Sequence, residues 1–220
     1  AAIELTASLI KRKLVGNSNH TTQLESIQSE VRKLNKIVTD CLEFVRPVKI
    51  SQEKVNLVSL LDESILIALS TVEKKEILLR KNFLATPPVS VDYNQMKQVV
   101  VNILVNALQA LKDHGSIEIS CGPSSCFQRN AAYGNGKFSD MNLGRQLSMS
   151  SYAWVKVADN GQGIPEDVLS KIFYPFFTTK EKGSGIGLAI AQKIVESHHG
   201  SIDVESKPGV GTTFTLKLPL

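Results

Sequence analysis

The sequence of 220 residues lacks any apolar run long enough to cross a membrane, and its first residues lack the pattern of a secretory signal. Its longest apolar stretches are interrupted by polar pairs, Asn102 with Asn106 and Asp62 with Glu63. We therefore expect a cytoplasmic segment that makes no membrane contact of its own. A membrane anchor that precedes it in the full-length protein is left open.

Cysteine is scarce and basic charge is dispersed. The three cysteines, Cys41, Cys121 and Cys126, have no metal-ligand spacing, so they predict reduced thiols rather than a metal site. The net charge of +4 comes without a dense cluster of lysine and arginine, which argues against nucleic acid as a partner. A hydrophobic content of 42% is enough for one domain with an accessory element.

The first part of the chain predicts a helical hairpin. Residues 1–13 have a helix-forming composition, residues 16–20 are typical of a turn, and Thr22 with Glu25 forms a capping-box pattern before a second helix. Two helices cannot enclose a core alone, so we expect a homodimeric four-helix bundle, with packing on the chain's own domain as the alternative. The apolar seam, spaced by threes and fours, is Leu24, Ile27, Val31, Leu34, Val38, Cys41 and Val45.

After this hairpin the pattern changes to mixed α/β. Residues 122–150 are polar and far longer than a hairpin loop, which predicts a mobile surface insertion, with a regulatory or partner-binding role as the alternative. Strands are predicted at 53–58, 76–84, 115–121, 151–159, 200–206 and 211–220, and helices at 58–74, 95–111 and 186–198.

The helix predicted over 95–111, with a capping pair at Asp92 and Gln95, carries an unusual polar stripe. Asn102 and Asn106 lie one turn apart on one side, and a buried amide without a partner costs about 1–3 kcal/mol. The stripe is therefore either a solvated face or one wall of a binding site. It consists of Gln95, Asn102, Asn106 and Gln109, opposite Val100, Ile103, Leu104, Ala107 and Leu111.

The stretch ADNGQGIP, residues 158–165, predicts a turn after a strand that ends in Asp159. Gly161 and Gly163 remove side-chain bulk, so a flat heterocycle can approach the backbone. The Asp159 carboxylate can then accept a hydrogen bond from an exocyclic amine such as that of adenine. Alone this motif is a weak signal, because turns of that composition are common.

The stretch KGSGIGLAI places Gly183, Gly185 and Gly187 directly before a helix. Amides at a helix N-terminus form an anion site, and glycines let phosphates come close. The spacing is neither that of a P-loop nor that of the dinucleotide fingerprint. Between the two glycine motifs, the three phenylalanines of IFYPFFTTK (172–180) predict either core residues or anchors of a flap over a nucleotide.

In this order the motifs resemble those of sensor histidine kinases of two-component systems, in the branch close to nitrogen-regulation kinases. QVVVNILVNALQAL is similar to their N box, DNGQGIP to the G1 box, FYPFFTTK to the F box, GSGIGLAI to the G2 box and GVGTTF to the last glycine box. The resemblance implies an α+β fold. Residues 1–47 would be part of a dimerisation hairpin, and residues 48–220 a two-layer α/β sandwich with a mixed sheet and an ATP lid.

The resemblance also implies roles for single residues. Asn106 would hold a Mg²⁺ ion that bridges the phosphates of ATP, Asp159 would bind the adenine amino group, and Thr213 would hold water near the adenine. The implied ATP-binding set is Asn102, Asn106, Asp159, Gly161, Gly163, Ile164, Phe177, Thr178, Thr179, Lys180, Gly183, Ser184, Gly185, Ile186, Gly187, Leu188 and Thr213.

Two positions of the N box depart from related patterns. In the ATP-hydrolysing relatives a glutamate that activates water stands where this chain has Asn102, and an amide cannot act as a base. The resemblance therefore implies phosphoryl transfer rather than hydrolysis. Gln109 stands where many relatives carry a lysine that contacts phosphate, and Lys180 or Lys182 would supply that charge.

The implied enzyme is an ATP-dependent protein-histidine kinase that relays the phosphoryl group to an aspartate on a response-regulator receiver domain. Two alternatives of the same fold are a nucleotide-sensing dimerisation module without catalysis and a kinase directed to Ser or Thr. We expect the acceptor histidine upstream of Ala1, so this segment would bind ATP without phosphorylating itself. The family's acceptor motif follows none of the four histidines, His20, His114, His198 and His199.

Overall fold

Helices and strands alternate along the part of the chain that the computed structural model describes, residues 18–46, 50–71, 76–127, 151–180 and 183–220. The helices are α1 Ser18–Val45, α2 Leu57–Ser70, α3 Tyr93–Ala110, α4 Ser124–Phe127, α5 Glu166–Leu169 and α6 Gly187–Ser197. The strands are β1 Glu53–Val55, β2 Leu78–Phe83, β3 Val89–Val91, β4 Ser116–Pro123, β5 Tyr152–Asp159, β6 Ser201–Lys207 and β7 Gly211–Pro219.

The main sheet has the strand order β2-β4-β5-β7-β6. Strands β2 and β4 run parallel, and the other neighbouring pairs run antiparallel. Strands β1 and β3 form a separate antiparallel pair, with Val55 opposite Val89. Helix α3 packs against both α2 and α6 and against β5. This arrangement confirms the predicted α+β fold, a two-layer α/β sandwich with a mixed sheet.

Side-chain alternation along the strands separates an apolar face of the main sheet from a polar face. In β5, Ala153, Val155 and Val157 are at most 2% exposed, whereas Lys156 between them is exposed. The apolar face receives the buried side of α3, as the helical periodicity predicts. The predicted core residues of α3 and its C-cap, Val100, Ile103, Leu104, Ala107 and Leu111, are at most 3% exposed.

Asp92 caps α3, as predicted. Its Oδ1 accepts a hydrogen bond from the Gln95 amide at 3.1 Å, and its Oδ2 accepts one from the Ser51 amide at 3.0 Å. The Asp92 amide in turn donates to Nε2 of the buried His198 at 3.0 Å. The start of α3 is therefore fixed to the segment before β1 and to the end of α6 by one residue.

Helix α1 differs from the predicted hairpin at its beginning. It starts at Ser18, so the turn predicted over 16–20 is wrong for residues 18–20, and Thr22 and Glu25 lie inside the helix rather than at its cap. Polar residues such as those of the predicted turn lower helix propensity by at most about 0.7 kcal/mol each. This cost is too small to end a helix of this length. Residues 1–17, including the helix predicted over 1–13, lie outside the described residues.

The seam of α1 is mostly exposed, while its C-terminal end packs on α6. Leu34, Val38 and Val45 are 61%, 57% and 77% exposed, and Cys41 and Phe44 pack against the core. At this end the Lys193 ammonium of α6 donates to the carbonyl oxygens of Phe44 and Arg46. Among the described residues, the alternative of packing on the chain's own domain holds for the last turns of α1, where Cys41 and Phe44 contact the core.

Other boundaries shift for local reasons. Strand β1 is shorter than predicted because Asn56 caps α2, accepting a hydrogen bond from the Val58 amide at 2.9 Å. Helix α3 ends at Ala110 rather than at residue 111, and His114 lies in the turn that follows, with a φ of 60°. The predicted insertion begins late, because β4 and α4 include residues 122–127, and residues 128–150 lie outside the described part. The sequence predicts neither β3, α4 nor α5.

Among the described residues, no helix combines the length and the apolarity needed to span a lipid bilayer.

We predict that Asp92→Ala lowers the free energy of unfolding by about 1–2 kcal/mol, because the helix cap and the bond to Ser51 are lost together. Urea denaturation followed by circular dichroism measures the change. Asp62→Ala is the matched control, since Asp62 forms an exposed ion pair with Lys81 that is worth less than about 1 kcal/mol. Equal losses in the two variants would contradict the role of Asp92.

Candidate functional site

The polar stripe of α3 faces α6 and the segment that precedes it. The Asn102 amide nitrogen donates a hydrogen bond to the carbonyl oxygen of Gly187 at 3.1 Å. Gly187 is the first residue of α6, and Asn102 is half-buried. Asn102 therefore fixes the N-terminus of α6 beside the middle of α3, and the stripe is more than a solvated face.

One turn further along α3, two amide oxygens meet one ammonium group. Lys180 Nζ donates to Asn106 Oδ1 at 2.8 Å and to Gln109 Oε1 at 2.7 Å. Neutral amide oxygens that converge in this way form a cation-binding pair. The Asn106 oxygen that the sequence assigns to a metal ion thus faces a positive charge of the chain itself.

Lys180 ends the segment 172–180, which we call the lid. Its backbone is held by Thr178, whose hydroxyl accepts a hydrogen bond from the Lys180 amide at 3.0 Å. The Gly183 amide donates to the Lys180 carbonyl at 3.2 Å. Thr178 and Thr179 are exposed, whereas Lys180 is half-buried. These local bonds aim the Lys180 side chain at α3. Lys182, the other predicted cation, lies outside the described residues.

The phenylalanines of the lid divide into anchors and exposed residues. Phe173 packs against the core and Phe177 is half-buried, but Phe176 is 58% exposed with a φ of 67°. The prediction that all three anchor the lid is wrong for Phe176. Its backbone lies against Gly185, where a Cβ atom would stand 2.6 Å from the Phe176 carbonyl carbon. Gly185, with a φ of 69°, permits this close approach.

Asp159 lies at the end of β5, as predicted, within the turn of the first glycine motif. Its Oδ1 accepts hydrogen bonds from the Gly161 amide at 2.8 Å and the Thr212 amide at 3.3 Å. Gly163, with a φ of 69°, lets this turn pack closely against Lys207. A Cβ atom at this position would lie 2.1 Å from the Lys207 carbonyl oxygen. Within the described residues, Oδ2 is therefore the oxygen left for a ligand.

Burial shifts both charged groups of the site toward their neutral forms. It raises the pKa of Asp159, an effect that the Gly161 and Thr212 amides and the charge of Lys180 partly offset. It lowers the pKa of Lys180, which the charge of Asp159 partly offsets. Groups held charged against such a penalty are typical of sites that bind a ligand.

The strand register assigns Thr212, rather than Thr213, to the face of Asp159. Thr212 pairs with Asp159 and alternates with the buried Phe214, whereas Thr213 points to the opposite face of the sheet. The register therefore places Thr212, and not the predicted Thr213, next to Asp159. The period-two pattern of Thr212, Phe214 and Leu216 is present in the sequence and could have shown this.

The loop before α6 supplies backbone rather than side chains. Ile186 is fully buried in the core, so a ligand can reach only its main chain. The first helical bond of α6 runs from the Ile190 amide to the Ile186 carbonyl, which leaves the amides of residues 187–189 without helical acceptors. An anion site is expected there. Of the remaining predicted residues, Ile164, Ser184 and Leu188 are half-buried.

A metal ion at this site would have few protein ligands. Within the described residues, no three His, Cys, Asp or Glu side chains are grouped as a metal cluster. Mg²⁺ usually keeps several waters and binds one or two protein oxygens together with substrate phosphates. The pair of Asn106 and Gln109 oxygens fits that requirement. Together the sandwich fold, the carboxylate at a strand end and the amides before α6 define a nucleotide-binding α/β domain.

Comparison with known families agrees with this class. The family model of histidine kinase-, DNA gyrase B-, and HSP90-like ATPases matches residues 91–220. The chain therefore belongs to the family of histidine kinase-, DNA gyrase B- and HSP90-like ATPases.

Relatives with similar sequences are sensor kinases. The chain is 34% identical to the signal transduction histidine-protein kinase AtoS of Escherichia coli K12, over 96% of this chain and 31% of AtoS. It is also 34% identical to the sensor histidine kinase ZraS of the same strain, over 96% of this chain and 40% of ZraS. These matches confirm the resemblance to sensor histidine kinases. The chain spans less than half the length of either relative.

Solved structures show the same fold. The catalytic domain of the histidine kinase ThkA is 29% identical, with a TM-score of 0.57 over 78% of this chain and 96% of that one. ThkA in complex with the response regulator protein TrrA gives a TM-score of 0.68 at 26% identity, over 99% of this chain and 56% of that one.

We predict that Asp159→Asn removes a pH-dependent loss of stability. Because burial raises the pKa of Asp159, the folded chain binds that proton more tightly than the unfolded chain, and stability falls as the pH rises through the raised pKa. The asparagine side chain of the variant keeps an oxygen for the amides of Gly161 and Thr212, so the variant should be the more stable protein at neutral pH. Urea denaturation between about pH 4 and 7 measures this.

The control for that series is Asp203→Asn, which alters an exposed carboxylate paired with Lys217 at 2.8 Å. A pH slope that is the same in wild type and Asp159→Asn, or that changes equally in the control, would contradict the assignment.

We also predict that Lys180→Met loosens the lid in the nucleotide-free protein, because both hydrogen bonds to α3 are lost. Amide hydrogen exchange over residues 177–185 should become faster by about fivefold, as for the loss of about 1 kcal/mol of local stability. Lys171→Met, an exposed lysine in the neighbouring turn, is the control. Unchanged exchange in Lys180→Met would show that these bonds do not hold the lid.

Proposed function

We propose that the chain is the ATP-binding catalytic core of a two-component sensor histidine kinase. The observation that carries the proposal is the convergence of the Asn106 and Gln109 oxygens on one cation beside the half-buried carboxylate of Asp159. A Mg²⁺–ATP complex requires these two elements, a polar oxygen for the metal and an acceptor for the adenine amine.

Different residues of the site bind different parts of the nucleotide. Asp159 Oδ2 accepts a hydrogen bond from the adenine amino group, with Thr212 beside it. The backbone of Gly183 and Gly185 and the amides of residues 187–189 border the phosphates. Asn106 Oδ1 would hold Mg²⁺, which would supply positive charge to neutralise the phosphates. Lys180 leaves the Asn106 oxygen and binds phosphate instead.

Phosphoryl transfer is favoured over hydrolysis by the position of Asn102. Its amide nitrogen is hydrogen-bonded to Gly187, and an amide has no basic group with which to activate water. Two of the described histidine side chains, His114 and His198, are poor acceptors for intramolecular transfer. His198 is buried, and both of its ring nitrogens are hydrogen-bonded. His114 lies 3.2 Å from the Glu76 carboxylate, and it is far from α1 in the sequence.

The partners follow from the exposed helix and from a relative. The exposed seam of α1, Leu34, Val38 and Val45 included, is suited to pack against the same helix of a second copy, which gives a homodimer. Since ThkA is solved in complex with a response regulator, we assign a receiver domain as the second partner. An aspartate of that domain would take the phosphoryl group from the histidine.

The proposal predicts that Asn106→Ala weakens Mg²⁺–ATP binding by about 10- to 100-fold, as for other losses at metal sites, while binding of metal-free ATP changes less. Calorimetry with a non-hydrolysable ATP analogue, with and without Mg²⁺, measures both. Asn94→Ala, an exposed asparagine in the first turn of the same helix, is the control. Equal affinity of wild type and Asn106→Ala for the Mg²⁺ complex would refute the metal assignment.

Kinase activity is tested by phosphoryl transfer in mixed dimers. One protomer is this chain, and its partner carries an acceptor histidine in the hairpin but an Asn106→Ala site. Label from γ-labelled ATP should appear on the acceptor protomer and be labile to acid, as phosphohistidine is. Acid-stable label would indicate Ser or Thr as acceptor. ATP binding without label in confirmed mixed dimers would support the nucleotide-sensing alternative.

A further inference from the structure

Ser206 of β6 joins three parts of the adenine end of the site. Its hydroxyl accepts a hydrogen bond from the Ile164 amide at 2.8 Å, in the first glycine motif. It donates to the Gly211 carbonyl at 3.0 Å and lies 2.9 Å from the hydroxyl of Thr212, its cross-strand partner. The sequence motifs do not include this serine.

The protons of this cluster can be assigned by counting donors. A serine hydroxyl has one proton, and the Gly211 carbonyl, which can only accept, takes it. The Ile164 amide can only donate. In the contact between the two hydroxyls, Thr212 must therefore be the donor and Ser206 the acceptor. The Thr212 oxygen then presents only lone pairs to any other group.

Thr212 lies directly beside Asp159. The two residues are paired in register on neighbouring strands, and the Thr212 amide donates to Asp159 Oδ1 at 3.3 Å. The remaining carboxylate oxygen, Oδ2, is an acceptor as well. The turn that follows Asp159 is held in place by the Gly209 amide, which donates to the Gln162 carbonyl at 2.8 Å. Thr212, only 4% exposed, and the half-buried Asp159 carboxylate are thus held opposite each other on neighbouring strands.

We infer that Ser206 is a positioning residue for base recognition, which holds the Thr212 hydroxyl as an acceptor beside Asp159. This inference rests on the proposed ATP site. A 6-amino group on a purine would donate one hydrogen to Asp159 Oδ2, and an acceptor at Thr212 Oγ1 favours a donor at the same edge of the base. A purine without that group leaves both acceptors unpaired, which costs affinity. Without Ser206, the Thr212 proton is free to rotate toward the ligand, and the preference for the amine weakens.

The test compares ATP with purine riboside triphosphate, which differs from ATP by the missing 6-amino group. Calorimetry with Mg²⁺ gives the ratio of the two dissociation constants. We expect wild type to prefer ATP by about tenfold, which corresponds to one or two hydrogen bonds. In Ser206→Ala the ratio should fall by about threefold, and Ser206→Thr, which keeps a hydroxyl, should restore it.

A double-mutant cycle separates this role from general support of the fold. In the Thr212→Val background, which has no hydroxyl to orient, Ser206→Ala should leave the ratio unchanged. Ser64→Ala is the matched control. This serine is buried in α2 and donates to the Leu60 carbonyl at 2.7 Å, so its loss lowers stability without altering the ratio. If Ser206→Ala does not fold, Ser206→Cys keeps the size of the side chain with weaker hydrogen bonds.

The outcomes distinguish the inference from the proposed function. If wild type binds neither nucleotide, the ATP site itself is refuted and the inference with it. If wild type prefers ATP and Ser206→Ala loses affinity for both nucleotides by the same factor, Ser206 is only structural and the inference is overturned while the ATP site stands. A lower ratio in Ser206→Ala alone supports the inference.

Discussion

The site depends on the interaction of one ammonium group with two amide oxygens of a single helix. Lys180 reaches Asn106 and Gln109, residues more than 70 positions earlier in the chain, and so closes the lid onto α3. An amide oxygen binds a cation without a charge of its own, so it needs no permanent partner and can exchange lysine for a hydrated metal ion. A carboxylate in the same half-buried place would hold the lysine far more tightly.

The same helix connects the site with the rest of the chain. Asn102 holds the first residue of α6, and six residues later in α6 Lys193 binds the carbonyl oxygens at the end of α1. Helix α6 is thus fixed at one end to the candidate phosphate site and further along to the long N-terminal helix. A helix is stiff over eleven residues, so we expect a displacement of α1 to move the amides at the start of α6 as well.

Features with a strong local signal could be predicted from the sequence, and those set by the register or by distant contacts could not. The periodicity of α3 and its Asp92 cap are local, and both hold. Strand β3 is only three residues long, too short for a pattern to show. The sequence motif does not show that Thr212 rather than Thr213 is the partner of Asp159, because the choice between two adjacent threonines needs the face of the strand. The contact of Lys180 with Asn106 depends on the tertiary fold alone.

The identity of residue 109 determines where the positive charge of the site resides. With a lysine at position 109, a second ammonium would lie near Lys180, and two unit charges about 4 Å apart repel by about 4 kcal/mol at a partly buried site. Gln109 avoids this repulsion and offers an oxygen instead. The cation is therefore carried by the lid rather than by the rigid helix. Under the proposed function, this charge would reach the phosphates of ATP only in the right lid conformation, so that neutralisation of the nucleotide would depend on the position of the lid.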